Sequence, residues 1–285
     1  MPTGFGLGLF TALWLFASAG GESHQQGVNL YKAHKYAEAI ASLEKSVRTE
    51  APDSAEYKES VLMIGQSYFM LSQAPRAIPW LEKAPALNEA NYMLGYAYLQ
   101  AGDAAKSEAA FARLFGVPAG SARGHLIAGQ MLLKKEYRDE ATAEVNKALA
   151  LDPALPLAHF LLGEMAIGRG EIDLAVTEFR REIEKNPGDS MAWYRLGDAY
   201  ARKNNYDDAV PSLQRAIWLN TNFSGPFILL GKCYLKLNNF TNAEGILRSA
   251  LSLDPRNREA QYLLGRTLLA EGRKDEANAI LDKLK

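Results

Sequence analysis

The sequence predicts an all-α protein, a solenoid of about eight helix-turn-helix repeats, and three observations carry that prediction. Gly95, Gly129, Gly163, Gly197, Gly231 and Gly265 lie 34 residues apart, and a fixed period of this length marks a repeat array. A small residue stands twelve positions after each glycine and a large apolar residue sixteen after it. Within each unit the apolar residues recur at three- and four-residue spacing, the period of an amphipathic helix, and no polar-apolar alternation asks for a strand.

The first element is a leader. Residues 4–19 carry no charge, and the stretch from Gly20 to Gln26 turns abruptly polar. The apolar core from Phe5 to Phe16 has the length of a signal-peptide h-region, and Ala17-Ser18-Ala19 fits a small-x-small cleavage site. Cleavage after Ala19 is the expectation, which leaves 20–285 as one solenoid in an exported protein, periplasmic or secreted. The absence of Lys or Arg before the core is atypical. The alternative is an uncleaved membrane anchor, for which the apolar run is a little short of the roughly 20 residues that span a bilayer.

The repeats follow. Gly27 and Gly65 precede the regular six, at intervals of 38 and then 30, so the register slips once and recovers. The small ladder reads Ala39, Ala77, Ser107, Ala141, Ala175, Ala209, Ala243 and Ala277. The large one reads Leu43, Leu81, Phe111, Val145, Phe179, Leu213, Leu247 and Leu281. Glycine on one helix and a small residue on the next let two backbones approach, and the large residue fills the space beside the contact. Aromatics recur three beyond the glycine at Tyr68, Tyr98, Tyr200 and Tyr234, while Pro153, Pro187 and Pro255 stop three second helices. Asp189 or Ser190 makes an N-cap. The short interval before Gly95 implies a trimmed junction near Lys83 to Asn88, read as a neutral loop deletion in preference to a hinge.

Composition limits the job. Thirty-two basic and 33 acidic residues give a net charge of −1, which supplies no overall field for nucleic acid. The one cysteine, Cys233, can form no intramolecular disulfide and no thiolate cluster; inside an amphipathic helix it is expected to be a buried, inert thiol.

The closest copy of the unit, Ala192-Trp193-Tyr194-Arg195-Leu196-Gly197-Asp198-Ala199-Tyr200 with Tyr206, Ala209 and Ala216, resembles the tetratricopeptide repeat (TPR) family, and the match covers essentially all the chain after the leader. Departures are modest: Ser107 replaces Ala, Leu132 and Ala166 replace the aromatic, and Thr221 replaces a closing proline. The resemblance implies a right-handed superhelical solenoid, a non-catalytic binding function and a concave face lined by first helices. Exported bacterial members imply assembly of an envelope machine such as a pilus, secretion or cytochrome-maturation complex. The cage with which some members grip a C-terminal carboxylate is not reproduced, since its equivalents here include Tyr92, Tyr96 and Gln130; an apolar or mixed peptide is expected instead.

On that face, positions three before, one after and four after each glycine should line a groove. The candidate residues in the first half are Gln66, Phe69, Tyr92, Tyr96 and Gln130. In the second half they are Phe160, Glu164, Tyr194, Asp198, Lys232, Tyr262 and Arg266. Tyr92, Tyr96, Phe160 and Tyr194 would anchor a protein or peptide, with phenol hydroxyls at the rim, and Asp198, Lys232 and Arg266 would orient it by charge. Among His24, His34, His125 and His159 no two stand at the i, i+4 spacing of a helical metal pair, so surface or packing roles are expected, with no metal, cofactor, small-molecule substrate or catalysis. The chain stops at Lys285 within a second helix, without a polar capping helix. That leaves a membrane-tethered, self-associating scaffold as the alternative.

Overall fold

The structure, a computed structural model, describes residues 21–284. The expected leader, residues 1–19, lies outside them. The described residues are helical throughout, with no strand, and the helices come in eight pairs. Contacts group the chain into two compact units, one up to Asp152 and one from Pro153. The first holds α1 (21–32) with α2 (Tyr36–Ser46), α3 (Ala55–Met70) with α4 (Ala74–Leu81), α5 (Asn88–Gln100) with α6 (Ala104–Leu114), and α7 (Ala122–Leu133) with α8 (Arg138–Leu151). The second holds α9 (Ala158–Arg169) with α10 (Ile172–Lys185), α11 (Ser190–Arg202) with α12 (Tyr206–Leu219), α13 (Ser224–Lys236) with α14 (Phe240–Leu253), and α15 (Arg258–Ala270) with α16 (Lys274–Leu281), closed by a 3-10 turn, Asp282–Leu284.

The glycine ladder works more directly than its spacing alone suggests. The large residue sixteen positions on does not sit beside the helix contact; it occupies the space a Cβ would need. A Cβ at Gly197 would lie 2.6 Å from Leu213 Cγ, and one at Gly129 would lie 2.6 Å from Val145 Cγ2. Each repeat is thus a knob on the second helix seated on bare backbone of the first. The small-residue ladder is fully buried, and Ser107 keeps its place by donating its hydroxyl to the Gly95 carbonyl at 2.7 Å.

The aromatics three beyond the glycine have a different task, which is to clasp the preceding repeat. Tyr68 donates to Glu44 at 3.0 Å, Tyr98 donates to Glu82, and Tyr234 accepts from Gln214 at 2.9 Å. Glu44, Glu82 and Gln214 occupy one position, seventeen after the preceding glycine. The fourth, Tyr200, meets Arg180 there, and the guanidinium lies over its ring at 5.6 Å.

All eight turns between paired helices end alike. The residue seven after each glycine has positive φ: His34, Ser72, Gly102, Glu136, Gly170, Asn204, Asn238 and Gly272. The N–H that follows it returns to a carbonyl in the last helical turn, as in Lys35 to Leu30 at 2.9 Å and Arg273 to Leu268 at 2.9 Å, which is the Schellman arrangement. At second-helix ends, α8, α10 and α14 stop two residues before Pro153, Pro187 and Pro255 as expected. α12 stops at the matching place before Thr221, so proline is not required there. Asp189 is the N-cap of α11, accepting from Met191 N at 2.9 Å. The trimmed junction follows the eight-residue α4, which carries Pro79 in its interior, and Ala84 is buried in the connection.

Candidate functional site

In the unit up to Asp152, the face expected to bind is largely closed by its own packing. Tyr96 is 3% exposed and donates its hydroxyl to the Met131 carbonyl at 2.7 Å. Its ring meets Tyr92 edge-on at 5.1 Å and Phe111 at 5.0 Å, and stacks with Tyr137 at 6.4 Å. The expectation of a Tyr96 hydroxyl at a rim is therefore corrected. A phenol that finds a backbone acceptor inside the fold is held there, because burying it unpaired is costly. Tyr92, Gln66, Phe69 and Gln130 are half-buried, and Phe69 packs on the core around Ile64 and Leu94.

In the unit from Pro153, the same positions keep their charge. Glu164 on α9 pairs with Arg195 on α11, with an Nη2–Oε2 distance of 3.0 Å. Asp198, one turn further along α11, pairs with Arg202 at 2.9 Å. Phe160 lies 5.8 Å from Phe179 and Tyr194 meets Phe223 edge-on at 5.1 Å; both rings are half-buried against the core. Lys232 and Arg266 are exposed and form no ion pair among the described residues, and Tyr262 is 49% exposed with Arg266 over its ring at 5.9 Å.

These groups perturb one another. Burial raises the Glu164 carboxyl above the ordinary carboxylate value, Arg195 pulls against it, and Asp198 adds to the rise. Burial raises the Tyr194 phenol too, with Asp198 reinforcing it. Cys233 is fully buried, as expected, and burial pushes its thiol up to about 11. Arg195 and Arg202 were not anticipated by the sequence argument, because they stand outside the three chosen positions. An acid and a base 31 residues apart, one repeat less a helical turn, was the available signal.

The histidines form structural pairs. His125 Nδ1 lies 2.6 Å from Glu144 Oε2 and His159 Nδ1 lies 2.7 Å from Glu178 Oε2, at equivalent places in successive repeats. Lys147 and Arg181 hold the other carboxylate oxygen of each pair at 2.7 Å. Both carboxylates are buried, so these contacts fasten first helix to second. His24 Nδ1 lies 2.9 Å from Ser60 Oγ, but Ser60 is fully buried. Among the described residues no group of three or more His, Cys, Asp or Glu could hold a metal ion, and no helix is long and apolar enough to cross a membrane.

Cavities recur on the other side, between successive second helices, each floored by the residue three beyond a glycine. One of about 370 Å³ lies at Tyr98, one of about 560 Å³ at Tyr200 and one of about 320 Å³ at Tyr234.

Paired helices stacked through fixed knob-and-backbone contacts, with polar and aromatic residues on both faces, define a helical-repeat interaction scaffold. The tetratricopeptide repeat model matches residues 24–91, 92–156, 132–190 and 160–225, and a second TPR model matches 234–285. The chain belongs to the TPR family, whose repeats serve as protein-interaction scaffolds and are generally non-catalytic. No curated protein matches it by sequence. Among solved structures it is similar to YrrB, described as a TPR protein with an unusual peptide-binding site, at 23% identity and a TM-score of 0.54 over 58% of this chain and 85% of that one. It is also similar to MamA (41-end) from Desulfovibrio magneticus RS-1, at 21% identity and a TM-score of 0.54 over 57% and 92%. A third similar structure is pilF of Pseudomonas aeruginosa, at 18% identity and a TM-score of 0.55 over 70% and 90%. At these identities the likeness is one of fold.

Proposed function

We propose that this chain is an exported, non-catalytic adaptor that holds a segment of a partner protein along the first-helix face of the unit from Pro153, in the assembly of an envelope complex. The supporting observation is the run of half-buried and exposed charges on successive first helices: Glu164 with Arg195, Asp198 with Arg202, then Lys232, then Arg266. Half-buried rings at Phe160 and Tyr194 flank them. Half-buried aromatics supply contact area, and a face that passes from the ion pairs at Glu164 and Asp198 to the unpaired cations Lys232 and Arg266 fixes the direction in which a segment lies. Each repeat contributes a small increment, and the sum comes from several weak sites engaged at once.

Crosslinking and pull-down of the chain from its native host tests this, comparing wild type with Asp198→Lys plus Lys232→Glu. Loss of partners with an unchanged thermal melt supports the reading; retention of every partner by the folded variant overturns it. The same preparation reports export. An N-terminus at Gly20 is expected, whereas a membrane-associated product that keeps residues 1–19 replaces the exported adaptor with the tethered scaffold.

A further inference from the structure

The cleft between α10 and α12 differs from its counterparts in what its tyrosine does. At Tyr68, Tyr98 and Tyr234 the hydroxyl is engaged by the residue across from it on the preceding second helix. At Tyr200 that place belongs to Arg180, which lies over the ring and leaves the hydroxyl with no hydrogen-bond partner among the described residues. Tyr200 is 6% exposed, yet it lines the cleft. The Tyr200 hydroxyl is thus free to donate into a cavity of about 560 Å³, where its three counterparts are already engaged.

Two guanidiniums frame the same cavity. Arg180 rests on Tyr200, and Arg215 rests on Trp218 at 4.1 Å. Neither makes a hydrogen bond or ion pair among the described residues. An arginine laid on an aromatic face keeps its N–H edges outward and loses little further freedom on binding, which suits it to grip a carboxylate in a forked geometry. Two acids also line the cleft. The Asp208 carboxylate accepts from Asn205 at 2.6 Å in the first turn of α12, and with Glu184 it balances the charge of the two arginines, so the cleft offers forked donors and not a net positive field. Trp193 and Pro211 supply the apolar remainder of the wall, and Trp218 stands 68% exposed beside it.

We propose that this cleft is a second binding site, separate from the first-helix face, and that it takes an acidic segment of a partner protein. One Asp or Glu carboxylate is held by Arg180, Arg215 and the Tyr200 hydroxyl, while a neighbouring apolar side chain lies on Trp193 and Pro211. Hydrogen bonds to a charged acceptor in a partly desolvated cleft give the discrimination, and the apolar neighbour gives contact area.

The test pans a phage library of random dodecapeptides against the full chain, then measures the enriched peptides by fluorescence anisotropy. Enriched sequences should carry Asp or Glu next to Trp, Phe or Leu. Replacing the acid by its amide should weaken binding at least about tenfold, as should Arg180→Gln plus Arg215→Gln at an unchanged melting temperature. Tyr200→Phe should weaken binding about threefold, the effect of one hydrogen bond. Asp198→Lys plus Lys232→Glu should leave this binding intact, so failure of the first-helix reading and failure of this one are separable. The proposal is overturned by a library that yields no acidic enrichment, by equal affinity of the double-arginine variant, or by a single-stranded oligothymidylate that displaces the peptides at matched concentration, which makes the cleft a phosphate site.

Discussion

The two units apply one packing rule with different fidelity. From Pro153 onward the left-handed turn residue is Gly170, Asn204, Asn238 and Gly272, types that adopt that conformation at little cost. Up to Asp152 it is His34, Ser72, Gly102 and Glu136, three of them strained. Second-helix length varies within both units: α2, α4, α6 and α8 run 11, 8, 11 and 14 residues, and α10, α12, α14 and α16 run 14, 14, 14 and 8. Yet the knob on each glycine is present in both units, from Leu43 on Gly27 to Leu281 on Gly265. The contact between paired helices is therefore the indispensable part, and turns and helix lengths are adjustable around it. In the unit with the more regular turns, Arg180 and Arg215 rest unpaired on aromatic rings beside one cleft.

The largest test of that contrast removes the knob. Phe111→Ala and Phe179→Ala delete fully buried rings from equivalent places, one in each unit, and each should cost about 3–5 kcal/mol in urea titrations. A cost below about 1 kcal/mol at either position would break the claim of equivalence. Next is the seat. Gly197→Ala places a methyl against Leu213, and overpacking should outweigh the gain in helix propensity, for a net loss of about 1–2 kcal/mol by the same measurement.

The turns come third, with opposite signs expected in the two units. Ser72→Gly and Glu136→Gly should each stabilise by about 0.5–1 kcal/mol, while Gly170→Ala should destabilise by about 1 kcal/mol, read as melting-temperature shifts of about 2–3 °C. The smallest effect is electrostatic. The folded Glu164 carboxyl titrates above its unfolded value, so the folded state binds the extra proton, and stability falls as pH rises from the ordinary carboxylate value through the raised one. Glu164→Gln should flatten that slope, and Arg195→Ala should steepen it, in denaturation midpoints taken from about pH 4 to pH 7.

Much of this frame was legible because its residues are restricted by sterics. Only glycine tolerates Leu213 or Phe179 on its backbone, so the period is written in one letter and survives the slip between Gly27 and Gly95. The turn ladder was harder to see, since His34, Ser72 and Glu136 hide a position where backbone conformation matters more than residue type. Site residues were the least legible. Tyr96 looked like a recognition phenol because nothing local reveals the Met131 carbonyl that accepts its hydrogen, 35 residues away. His125 and Glu144 stand 19 residues apart on different helices, a pairing that helix periodicity does not announce. The clefts between second helices escaped notice because the residues seventeen after each glycine vary, from Glu82 to Arg180 to Gln214, and that variation is what makes one cleft unlike the rest.

Cys233 gives the second unit a built-in clock. It is the only thiol in the chain, it lies on α13 in the core shared with Leu196 and Leu213, and no cysteine occurs before Pro153. An alkylating reagent reaches it only when that core opens, so the labelling rate counts openings of one unit while the other stays silent. Each substitution near α11 or α13 can then be timed by mass spectrometry on the native sequence, without adding a label. A partner that seals the Tyr200 cleft should slow the clock, and the slowing measures how far binding at α10 and α12 is felt on the next first helix.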